Sequence, residues 1–523
     1  MLSRSIVHVK AVALALALSL VQAVSAQEMR VASILVYDDI NDTAAIQNWV
    51  DEIDGLGFNA VAVHARFRGD ATYFPNKTNS QYPNDEPRSS AAGGIDVLQE
   101  FITRGHAKGL KVFAYVNVWL QTDGSDTDPR ANHPVNTHPE WITYHYNGGN
   151  PARMTTAQDD EGIWFDPGIP AARTYMANVC GDIMKNYNAD GIIIDRIRYP
   201  QTYWRRADLD FGYHPTAISR FNSQYGKSGV PSPSDSQWQQ FRRDQVTESV
   251  RAIYNTITAI DPNHMLLSFP IGRVSDAINF NYQDWPAWLN AGVCDGAIVQ
   301  IYRDTNSDFS AGCDEHLAAY SGNRLLGVAT KCWISSVDVD GQIAITRQKG
   351  FDGTSPFRHG VMEGLGLFPQ LSVAYSTPAS WPAMPWKVPT TFIVDNNTAG
   401  WSASGNWWAS SSTPGYYGSN YRVRSTASTS DAATWKVNLP VGGNYEVFAR
   451  WASGSNRASS APYIVYHKNG STTKNMNQRT NGGQWVSLGT YNFNAGNATR
   501  VALSCWTSSG QYVIGDAIKM EKR

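Results

Sequence analysis

One short apolar strand decides the fold class of this chain: the stretch ADGIIIDRIRYP, residues 189–200. Its three consecutive isoleucines show no alternation with polar residues, which predicts a strand buried on both faces. Strands of this kind belong to parallel sheets whose faces are covered by helices. The strand ends directly on the carboxylate of Asp195, and Arg196, Arg198 and Tyr199 follow it closely. We therefore expect a parallel α/β fold with polar groups gathered where this strand ends.

The same strand-then-helix pattern repeats on both sides of this stretch. Eight such units predict an α/β fold of the (β/α)8 TIM-barrel type. A doubly wound open sheet is the alternative, but no glycine-rich phosphate loop follows the first strand. The predicted strands are 30–37, 58–65, 110–119, 191–195, 265–270, 296–302, 325–333 and 360–368.

The pattern changes after the barrel region. We assign residues 27–376 to the barrel and residues 377–390 to a proline-rich linker. Residues 391–523 contain short alternating runs separated by Gly, Asn and Ser turns, with no helical period. This second pattern predicts an all-β sandwich domain.

The N-terminus has the features of a secretory signal peptide over residues 1–26. Arg4 and Lys10 precede an apolar run at residues 11–21, and a small-x-small cleavage pattern follows at residues 24–26. A membrane anchor formed by this same segment is the alternative. No other stretch approaches the roughly 20 apolar residues of a membrane span, so we expect a secreted or periplasmic protein without stable membrane insertion.

The composition favours a sugar partner over a charged one. The formal net charge is -2, which gives no electrostatic reason to expect nucleic acid or an anionic membrane. Only 17% of the residues are charged, while 12% are aromatic, and aromatic rings pack well on the apolar faces of neutral sugars. We expect a monomer that binds a polysaccharide or oligosaccharide and uses no metal and no cofactor.

The cysteines leave the disulfide pattern open. There are five, so at least one is unpaired within the chain. Cys180 and Cys505 lie in apolar surroundings and are predicted to be buried thiols. In an oxidising compartment Cys313 could pair with Cys294 or Cys332.

The active site of a parallel barrel forms at the carboxyl ends of its strands, so polar residues at those ends are the candidates. Asp195 is the candidate nucleophile or charge stabiliser, because glycosidic bond cleavage uses a positioned carboxylate. A second carboxyl is needed as general acid; Asp304 is our first candidate and Glu363 our second, with Asp38 and Asp39 as others. The residues predicted to bind substrate are Asp38, His64, Arg66, Tyr115, Asn117, Trp119, Arg196, Arg198, Tyr199, Gln300, Tyr302 and Trp333.

The segment after the third strand is unusually long, over residues 122–166, and is predicted to be a binding loop or lid. It contains His133, His138 and His145, whose spacing matches no zinc motif, so we interpret them as ordinary loop residues.

Several segments together carry a family resemblance: RVASILVYDD, FNAVAVHARFRGDATY, LKVFAYVNVW, DGIIIDRIRYP and DGAIVQIYRD. With them, residues 28–370 resemble the glycosyl-hydrolase-like family 10 domain of bacteria. The resemblance implies a (β/α)8 barrel that acts on glycosidic bonds, with Asp195 carried over as a catalytic residue; some members resemble hydrolases of peptidoglycan glycan strands. Many relatives have a second acidic residue directly after this aspartate, whereas this chain has Arg196.

Residues 391–523 carry a second resemblance, through FIVDN at 392–396, ATWKVNLPVGGNYEVFARW and the closing GDAIKM. They resemble the C-terminal domain of golvesin-type and xanthan-lyase-associated proteins, which implies a β-sandwich and carbohydrate or cell-surface binding. The aromatic residues that would form a sugar platform, or else belong to the core, are Trp407, Trp408, Tyr416 and Tyr417.

The leading hypothesis is a secreted glycoside hydrolase that cleaves a polysaccharide, either peptidoglycan glycan or an extracellular polymer, with a carboxylate pair centred on Asp195. One alternative is a non-catalytic carbohydrate-binding or envelope protein built on the barrel. Another is a polysaccharide lyase that acts on an anionic glycan with Tyr199 or His64 as base. The arginines that would suit such an anionic substrate are Arg66, Arg68, Arg196 and Arg198.

Overall fold

The computed structural model describes residues 26–200, 209–387 and 391–523. All but the last residue of the predicted signal peptide therefore lies outside the described residues. The chain divides into two compact units, Met1–Met384 and Pro385–Arg523, and the division falls inside the predicted linker segment. In the described ranges, no helix combines the length and the apolar character needed to cross a membrane.

The first unit contains a closed barrel of eight parallel strands. Each strand pairs with its neighbour in chain order, and the first strand pairs with both the second and the eighth, which closes the sheet. The prediction of a (β/α)8 barrel is confirmed. The strands are β1 (Met29–Ile34), β2 (Ala60–Phe67), β3 (Lys111–Asn117), β4 (Gly191–Asp195), β5 (Met265–Ser268), β6 (Gly296–Ile301), β7 (Leu325–Lys331) and β8 (Gly353–Phe357).

Helices pack around the barrel through apolar stripes, as the first of them shows. In the first helix Ile46, Val50 and Ile53 are buried at helical spacing, and Asp42 caps its start by accepting a hydrogen bond from Ala44 N. The strands between the helices are almost wholly buried, as their continuous apolar sequences predict. The helices are α1 (Thr43–Gly55), α2 (Val97–Ala107), α3 (Pro170–Asn186), α4 (Pro215–Tyr225), α5 (Ser236–Ile260), α6 (Val274–Asn279), α7 (Trp285–Asn290), α8 (Asn306–Ala319), α9 (Val339–Lys349) and α10 (Phe368–Ala374).

The predicted eighth strand, 360–368, is wrong. The barrel is closed by β8, which is separated from the end of α9 by only three residues and leads directly to Arg358. The short sequence GTSPF carries a proline and few apolar residues, so its pattern gives little sign of a strand. The more apolar segment 360–368 instead forms a turn that runs from the short helix His359–Val361 into α10. Glu363 lies in this turn and is exposed.

Two short segments at the borders of the first unit lie side by side. Ala26–Gln27 pairs in parallel with Ala379–Ser380, and Glu28 N donates a hydrogen bond to Ser380 O at 2.9 Å. The chain therefore enters and leaves the barrel unit at the same place.

The second unit consists of antiparallel sheets, which confirms the prediction of a β-rich domain. Its core contains Trp435, Tyr445, Trp451 and Tyr463. Its strands are β9 (Thr391–Asp395), β10 (Trp401–Ala403), β11 (Trp408–Ser410), β12 (Tyr421–Ser425), β13 (Ala432–Leu439), β14 (Gly443–Arg450), β15 (Ala461–His467), β16 (Gly470–Met476), β17 (Val486–Phe493), β18 (Gly496–Ser504), β19 (Tyr512–Gly515) and β20 (Ala517–Lys522). The strand order is β9-β20-β14-β17 in one sheet, β10-β13-β18-β15-β16 in a second and β11-β12-β19 in a third.

Of the four aromatic residues considered for a sugar platform, Trp407 belongs to the core of the second unit. Trp408 is exposed, and its ring packs edge-on against Tyr512. Tyr416 and Tyr417 are half-buried. The four aromatic side chains therefore range from buried to exposed.

All five cysteines are buried free thiols. This confirms the prediction for Cys180 and Cys505. It also answers the question that the sequence left open, because Cys313 is bridged to neither Cys294 nor Cys332. The Cys294 thiol instead lies 3.2 Å from the carbonyl oxygen of Leu266, and Cys332 contacts Thr330 at 3.6 Å.

Candidate functional site

An open cleft of about 400 Å³ lies at the carboxyl ends of the barrel strands. Its residues come from the ends of β1, β2, β3, β4 and β8 and from just beyond β7. This is the end of a parallel barrel at which active sites form. The residues that line the cleft are Leu35, Tyr37, His64, Phe67, Arg68, Tyr115, Asn117, Asp195, Arg196, Trp333, Phe357 and Arg358.

Asp195 lies in the cleft with both carboxylate oxygens held. Its Oδ2 accepts a hydrogen bond from the Tyr115 hydroxyl at 2.7 Å, and its Oδ1 accepts one from the backbone N–H of Arg196 at 2.7 Å. The Arg196 guanidinium adds a cation 3.6 Å from Oδ2. Every one of these contacts is made to an acceptor oxygen, so together they hold the carboxyl group in one orientation. Burial, and then the Asp195 charge, raises the pKa of Tyr115 well above its usual value, so this hydroxyl remains a donor.

Strand register brings the polar residues of the cleft together. Asn117 pairs with Asp195 across β3 and β4, and His64 pairs with Tyr115 across β2 and β3. The rings of His64 and Tyr115 are 4.8 Å apart between centroids. Asn117 is almost fully buried, and its Oδ1 has no hydrogen-bond partner in the described part of the chain. A substrate hydroxyl is the kind of donor that would satisfy it.

His64 is a buried neutral donor. Its Nδ1 accepts a hydrogen bond from Val36 N at 3.4 Å, which assigns the proton to Nε2. Nε2 is buried and finds no partner among the described residues. Burial, followed by the charges of Arg68, Arg196 and Arg358, lowers the pKa of His64 to about 3. The imidazole is therefore uncharged at neutral pH and can donate one hydrogen bond into the cleft.

Arg196 connects Asp195 to a second carboxylate. Its Nη2 lies 3.3 Å from Oε1 of Glu161, and Arg198 Nη2 lies 3.5 Å from Oε2 of the same residue. Glu161 belongs to the long segment 122–166 that the sequence marks as a binding loop. Arg196 has a φ of +52°, a left-handed conformation that is uncommon for a side-chain-bearing residue and recurs at functional sites. The loop thus contributes directly to the surroundings of Asp195.

Arg68 and Arg358 add two further cations to the lining. Arg68 contacts Asp123 and donates to the carbonyl oxygen of Glu161 at 3.0 Å. The guanidinium of Arg358 lies over the ring of Tyr37, 5.3 Å from its centroid, and 3.8 Å from Asp38. Arg358 is therefore less closely paired with an anion than Arg68 is.

Aromatic side chains form the walls of the cleft. Tyr37 packs edge-on against Phe67, with 5.4 Å between ring centroids. Trp333 is 41% exposed and is supported from behind by Tyr302, whose ring centroid is 4.7 Å away. Exposed rings of this kind offer flat apolar surfaces to the C–H faces of sugars.

Of the residues predicted to bind substrate, His64, Tyr115, Asn117, Arg196 and Trp333 line the cleft, while others are buried outside it. Arg66 forms a fully buried ion pair with Glu86. Tyr199 donates to Asp166 at 3.3 Å, and Gln300 donates to the carbonyl oxygen of Phe269 at 3.0 Å. The remaining buried residues outside the lining are Trp119, in the core, and Arg198, over the ring of Trp164.

The structure separates the predicted acids from one another. Glu363 lies in the turn before α10 and not in a barrel strand, which removes the reason for placing it in the site. Asp304 lies just past β6, is exposed, and forms an ion pair of 2.5 Å with Lys331. The side chain of Asp38 is only 2% exposed and accepts a hydrogen bond from Leu35 N at 2.7 Å. Among the described residues, the cleft lining itself contains one carboxyl group, that of Asp195.

A model of the glycosyl hydrolase-like 10 family matches residues 24–340, more than half of the chain. This chain belongs to the glycosyl hydrolase-like 10 family. A model of the golvesin C-terminal domain matches residues 392–522. Both resemblances drawn from the sequence are confirmed by these matches.

Three relatives show how far the likeness extends. The glycosyl hydrolase YngK of Bacillus subtilis (strain 168) is 26% identical over 377 residues, which cover 64% of this chain and 68% of YngK. The glycosyl hydrolase DigH of Escherichia coli (strain K12) is 23% identical over 274 residues, 48% of this chain and 56% of DigH. A xanthan lyase of Bacillus sp. (strain GL1) is 37% identical over 131 residues, 24% of this chain and only 14% of that enzyme.

Sequence reasoning missed five cleft residues of this family member, and Glu161 beside the cleft. Leu35 and Tyr37 lie just past β1 and Phe67 ends β2, so their positions near the ends of these strands were the available signal. Phe357 and Arg358 follow a strand that was placed elsewhere, so no such signal existed for them. Glu161 is brought in by a loop, whose path a local pattern does not determine.

Proposed function

We propose that this protein hydrolyses glycosidic bonds of a polysaccharide, with Asp195 as the carboxylate that attacks the anomeric carbon or stabilises its positive charge. The observation that carries the proposal is the carboxylate of Asp195, held by Tyr115 and Arg196 in an open cleft with aromatic walls. A positioned carboxylate is one of the two carboxyl groups that glycoside hydrolysis uses. Membership of the glycosyl hydrolase-like 10 family supports the same reaction.

The contacts of Asp195 suit this role because they fix its position. The backbone N–H of Arg196 and the hydroxyl of Tyr115 restrain the two oxygens in different directions. The carboxylate would therefore lose little conformational freedom when a sugar ring binds above it. His64 and Asn117, each with a buried polar atom that lacks a partner in the described structure, supply one donor and one acceptor for sugar hydroxyls.

A second carboxyl group must protonate the leaving oxygen, and we propose Asp304 for this step. Asp304 binds Lys331, whose Nζ is 5.4 Å from the ring of Trp333 in the cleft wall. This chain of contacts supports a position at the rim, accessible to solvent and to a leaving group. The distance between the two carboxyl groups would then distinguish retention, at about 5–5.5 Å, from inversion, at about 6.5–9.5 Å.

Glu161 is the alternative proton donor. One guanidinium, that of Arg196, lies between its carboxyl group and that of Asp195, which limits their separation to about 9 Å. However, Arg196 and Arg198 both contact Glu161, so its two oxygens already face guanidinium groups. Glu161 is thus better placed to hold Arg196 beside Asp195 than to reach a leaving group.

The proposal is tested by incubating the protein with a panel of polysaccharides, including peptide-free peptidoglycan glycan, and sizing the products. For a substrate that is cleaved, we expect Asp195→Asn to lower kcat by at least about 100-fold. Unchanged turnover by this variant would remove Asp195 from the reaction. Binding of these polymers without any product from the wild-type protein would favour the carbohydrate-binding alternative instead.

The proton donor is tested with a closely matched pair of variants. Asp304→Asn and Asp314→Asn each remove an exposed carboxylate from a 2.5 Å ion pair with a lysine, but Asp314 belongs to α8, outside the cleft lining. We expect only Asp304→Asn to lower kcat substantially. Glu161→Gln provides the opposite outcome. If it lowers kcat more than Asp304→Asn does, and if a substrate with an activated leaving group restores that kcat, Glu161 is the donor and the assignment of Asp304 is wrong.

A lyase reaction on an anionic glycan is the second candidate, favoured by the three arginines of the lining. It would require a base to remove a proton beside a carboxylate. The raised pKa of Tyr115 keeps its hydroxyl protonated, and the His64 pKa of about 3 makes its imidazole a weak base, so neither group is suited to remove that proton. Tyr199, the other predicted base, is buried against Asp166 outside the lining. A product with the ultraviolet absorbance of an unsaturated uronate would nevertheless establish the lyase over the hydrolase.

The predicted signal peptide supports action outside the cytoplasm, as a secreted or periplasmic protein. Detection of the mature chain, starting after residue 26, in the periplasm or medium of the producing cell would test this part of the proposal.

A further inference from the structure

The guanidinium of Arg358 is the cation of the cleft that is least engaged by the protein. Its closest carboxylate oxygen is that of Asp38, 3.8 Å away, and within the described ranges it makes no hydrogen bond. By contrast, Arg68 donates to Glu161 O, and Arg196 lies close to two carboxylates. Arg358 therefore retains its donor groups for a ligand.

The same guanidinium is held in a defined place. It packs over the ring of Tyr37, and the nearby Asp38 is fixed by its hydrogen bond to Leu35 N. The side chain of Arg358 is 23% exposed and lines the cleft. A guanidinium positioned by an aromatic face on one side presents a planar fork of N–H groups that matches the two oxygens of a carboxylate.

Three arginines line the cleft, and all three act on His64 in the direction that lowers its pKa, after the larger effect of burial. Two of them are closely paired with carboxylates: Arg68 contacts Asp123, and Arg196 lies beside Asp195 and Glu161. Arg358 is the most weakly paired of the three, so it is the cation that would attract the carboxylate of a charged sugar.

We infer that the substrate is an acidic polysaccharide, and that Arg358 binds the carboxylate of a sugar next to the one attacked by Asp195. This assignment of a substrate class rests on the proposed function. It replaces the composition-based expectation of a neutral sugar. Arg358 lies beyond residues 24–340, the part of the chain that the family model matches, so the family likeness does not supply this residue.

Two kinds of carboxylate would fit this chemistry: the ring carboxylate of a uronic acid, or the lactyl ether carboxylate of peptidoglycan glycan. The probes are polygalacturonate, alginate and hyaluronan for the first kind and peptide-free peptidoglycan glycan for the second. Each polymer is compared with the same polymer after its carboxylates have been reduced to alcohols. A sulfated galactan serves as a comparator with a different anion.

We expect the wild-type protein to cleave an acidic polymer with a kcat/KM at least about 10-fold above that of its reduced form, given the strength of hydrogen bonds between charged groups. Arg358→Gln should lower kcat/KM on the acidic polymer about 10- to 100-fold, chiefly through KM, and should change the reduced polymer little. Arg358→Lys should retain part of the preference, since it keeps the charge but loses the fork. Equal turnover of both forms by the wild-type protein, or a preference for the sulfated galactan, would overturn the inference.

Arg303→Gln is the matched control. Arg303 follows β6, donates to the carbonyl oxygen of Tyr302 at 3.0 Å, and is absent from the cleft lining. We expect this variant to keep the preference for the acidic polymer, and both variants to unfold at the wild-type temperature. An equal loss of preference in Arg303→Gln would show that overall charge, and not Arg358, selects the substrate.

A binding measurement separates this inference from the proposed function. Affinity electrophoresis of the Asp195→Asn protein in gels containing each polymer requires no turnover. Stronger retardation by the acidic form than by the reduced form, abolished by adding Arg358→Gln, would support the inference even if no polymer were hydrolysed. Hydrolysis without this difference in retardation would support the proposed function and contradict the inference.

Discussion

Tyr115 donates its hydroxyl proton to Oδ2 of Asp195 across 2.7 Å, from the strand that lies next to Asp195 in the barrel. Both residues project from β-strands rather than from loops, so the packing of the barrel fixes their separation. Tyr115 is in turn enclosed by His64 on one side and Phe269 on the other. The hydrogen bond is thus set by the fold before any ligand arrives.

Removing this hydroxyl should impair turnover without unfolding the protein. We expect Tyr115→Phe to lower kcat about 10- to 100-fold, because a hydrogen bond to a charged group is lost while the ring is kept. Steady-state kinetics on a cleaved polysaccharide measure the effect. The control is Tyr375→Phe, which removes a buried hydroxyl that contacts Thr354 at 2.5 Å, at the opposite end of β8 from the cleft. If both variants lost activity equally, the role of Tyr115 would be purely structural.

His64 should remain neutral throughout the pH range in which an ordinary histidine titrates. Its folded pKa of about 3 lies below the usual 6.5, so the unfolded chain binds a proton that the folded chain does not. The contribution of this group to the free energy of unfolding is therefore fully present above pH 6.5, and it is lost as the pH falls toward 3. Urea unfolding at about pH 5 and pH 7.5 should show a larger loss of stability at the lower pH for the wild type than for His64→Gln.

His138→Gln controls for the loss of an imidazole elsewhere, because the His138 ring stacks on Trp141 away from the cleft lining. The loss of stability in this variant serves as the reference against which the loss in His64→Gln is judged. An identical pH dependence in the wild type and His64→Gln would mean that His64 is charged in the folded protein, contrary to its surroundings.

The exposed ring of Trp333 should contribute mainly to binding. We expect Trp333→Ala to raise KM about 2- to 10-fold and to leave kcat nearly unchanged, since an aromatic contact contributes about 0.5–1.5 kcal/mol. Trp506→Ala removes a ring that is still more exposed, in the other unit, and should change neither constant on a short oligosaccharide. A fall in kcat with constant KM would assign Trp333 to the chemical step instead.

The cysteines should behave as five buried thiols. A thiol reagent such as Ellman's reagent should react slowly with the folded protein and count five thiols after unfolding in guanidinium chloride without reductant. Reducing agents should not shift the unfolding temperature, because no disulfide constrains the unfolded chain. A count of three after unfolding would reveal one disulfide and contradict the structure.

The sequence predicted the barrel and the central part of the site because both depend on local patterns. Continuous apolar runs such as the three isoleucines before Asp195 identify buried parallel strands, and the end of each strand then identifies its polar residue. This rule identifies Asp195, Tyr115 and Asn117. It does not identify the eighth strand, because the segment GTSPF forms a strand through its pairing with β7 and β1 and not because of its own composition.

Arg66 and Arg198 were predicted to bind substrate but do not line the cleft, and each error has a physical cause. His64 and Arg66 are two residues apart and would share one face of a regular strand. The register of β2 against β3 shifts between them, so Arg66 turns away from the cleft into its ion pair with Glu86. An extra residue of this kind leaves no mark in the apolar pattern. Arg198 was likewise misplaced because Trp164, from a distant loop, covers it.

The pairing of Ala26–Gln27 with Ala379–Ser380 has a practical consequence for engineering the barrel. Paired strands lie about 5 Å apart, so a few residues would suffice to join the end of this unit back to its beginning. The chain could then be reopened at an exposed turn far from the cleft, such as that after α5, to give a circular permutant. Because the cleft is assembled from strand ends around the whole barrel, such a rearranged chain should retain its arrangement of Asp195, Tyr115 and Arg358.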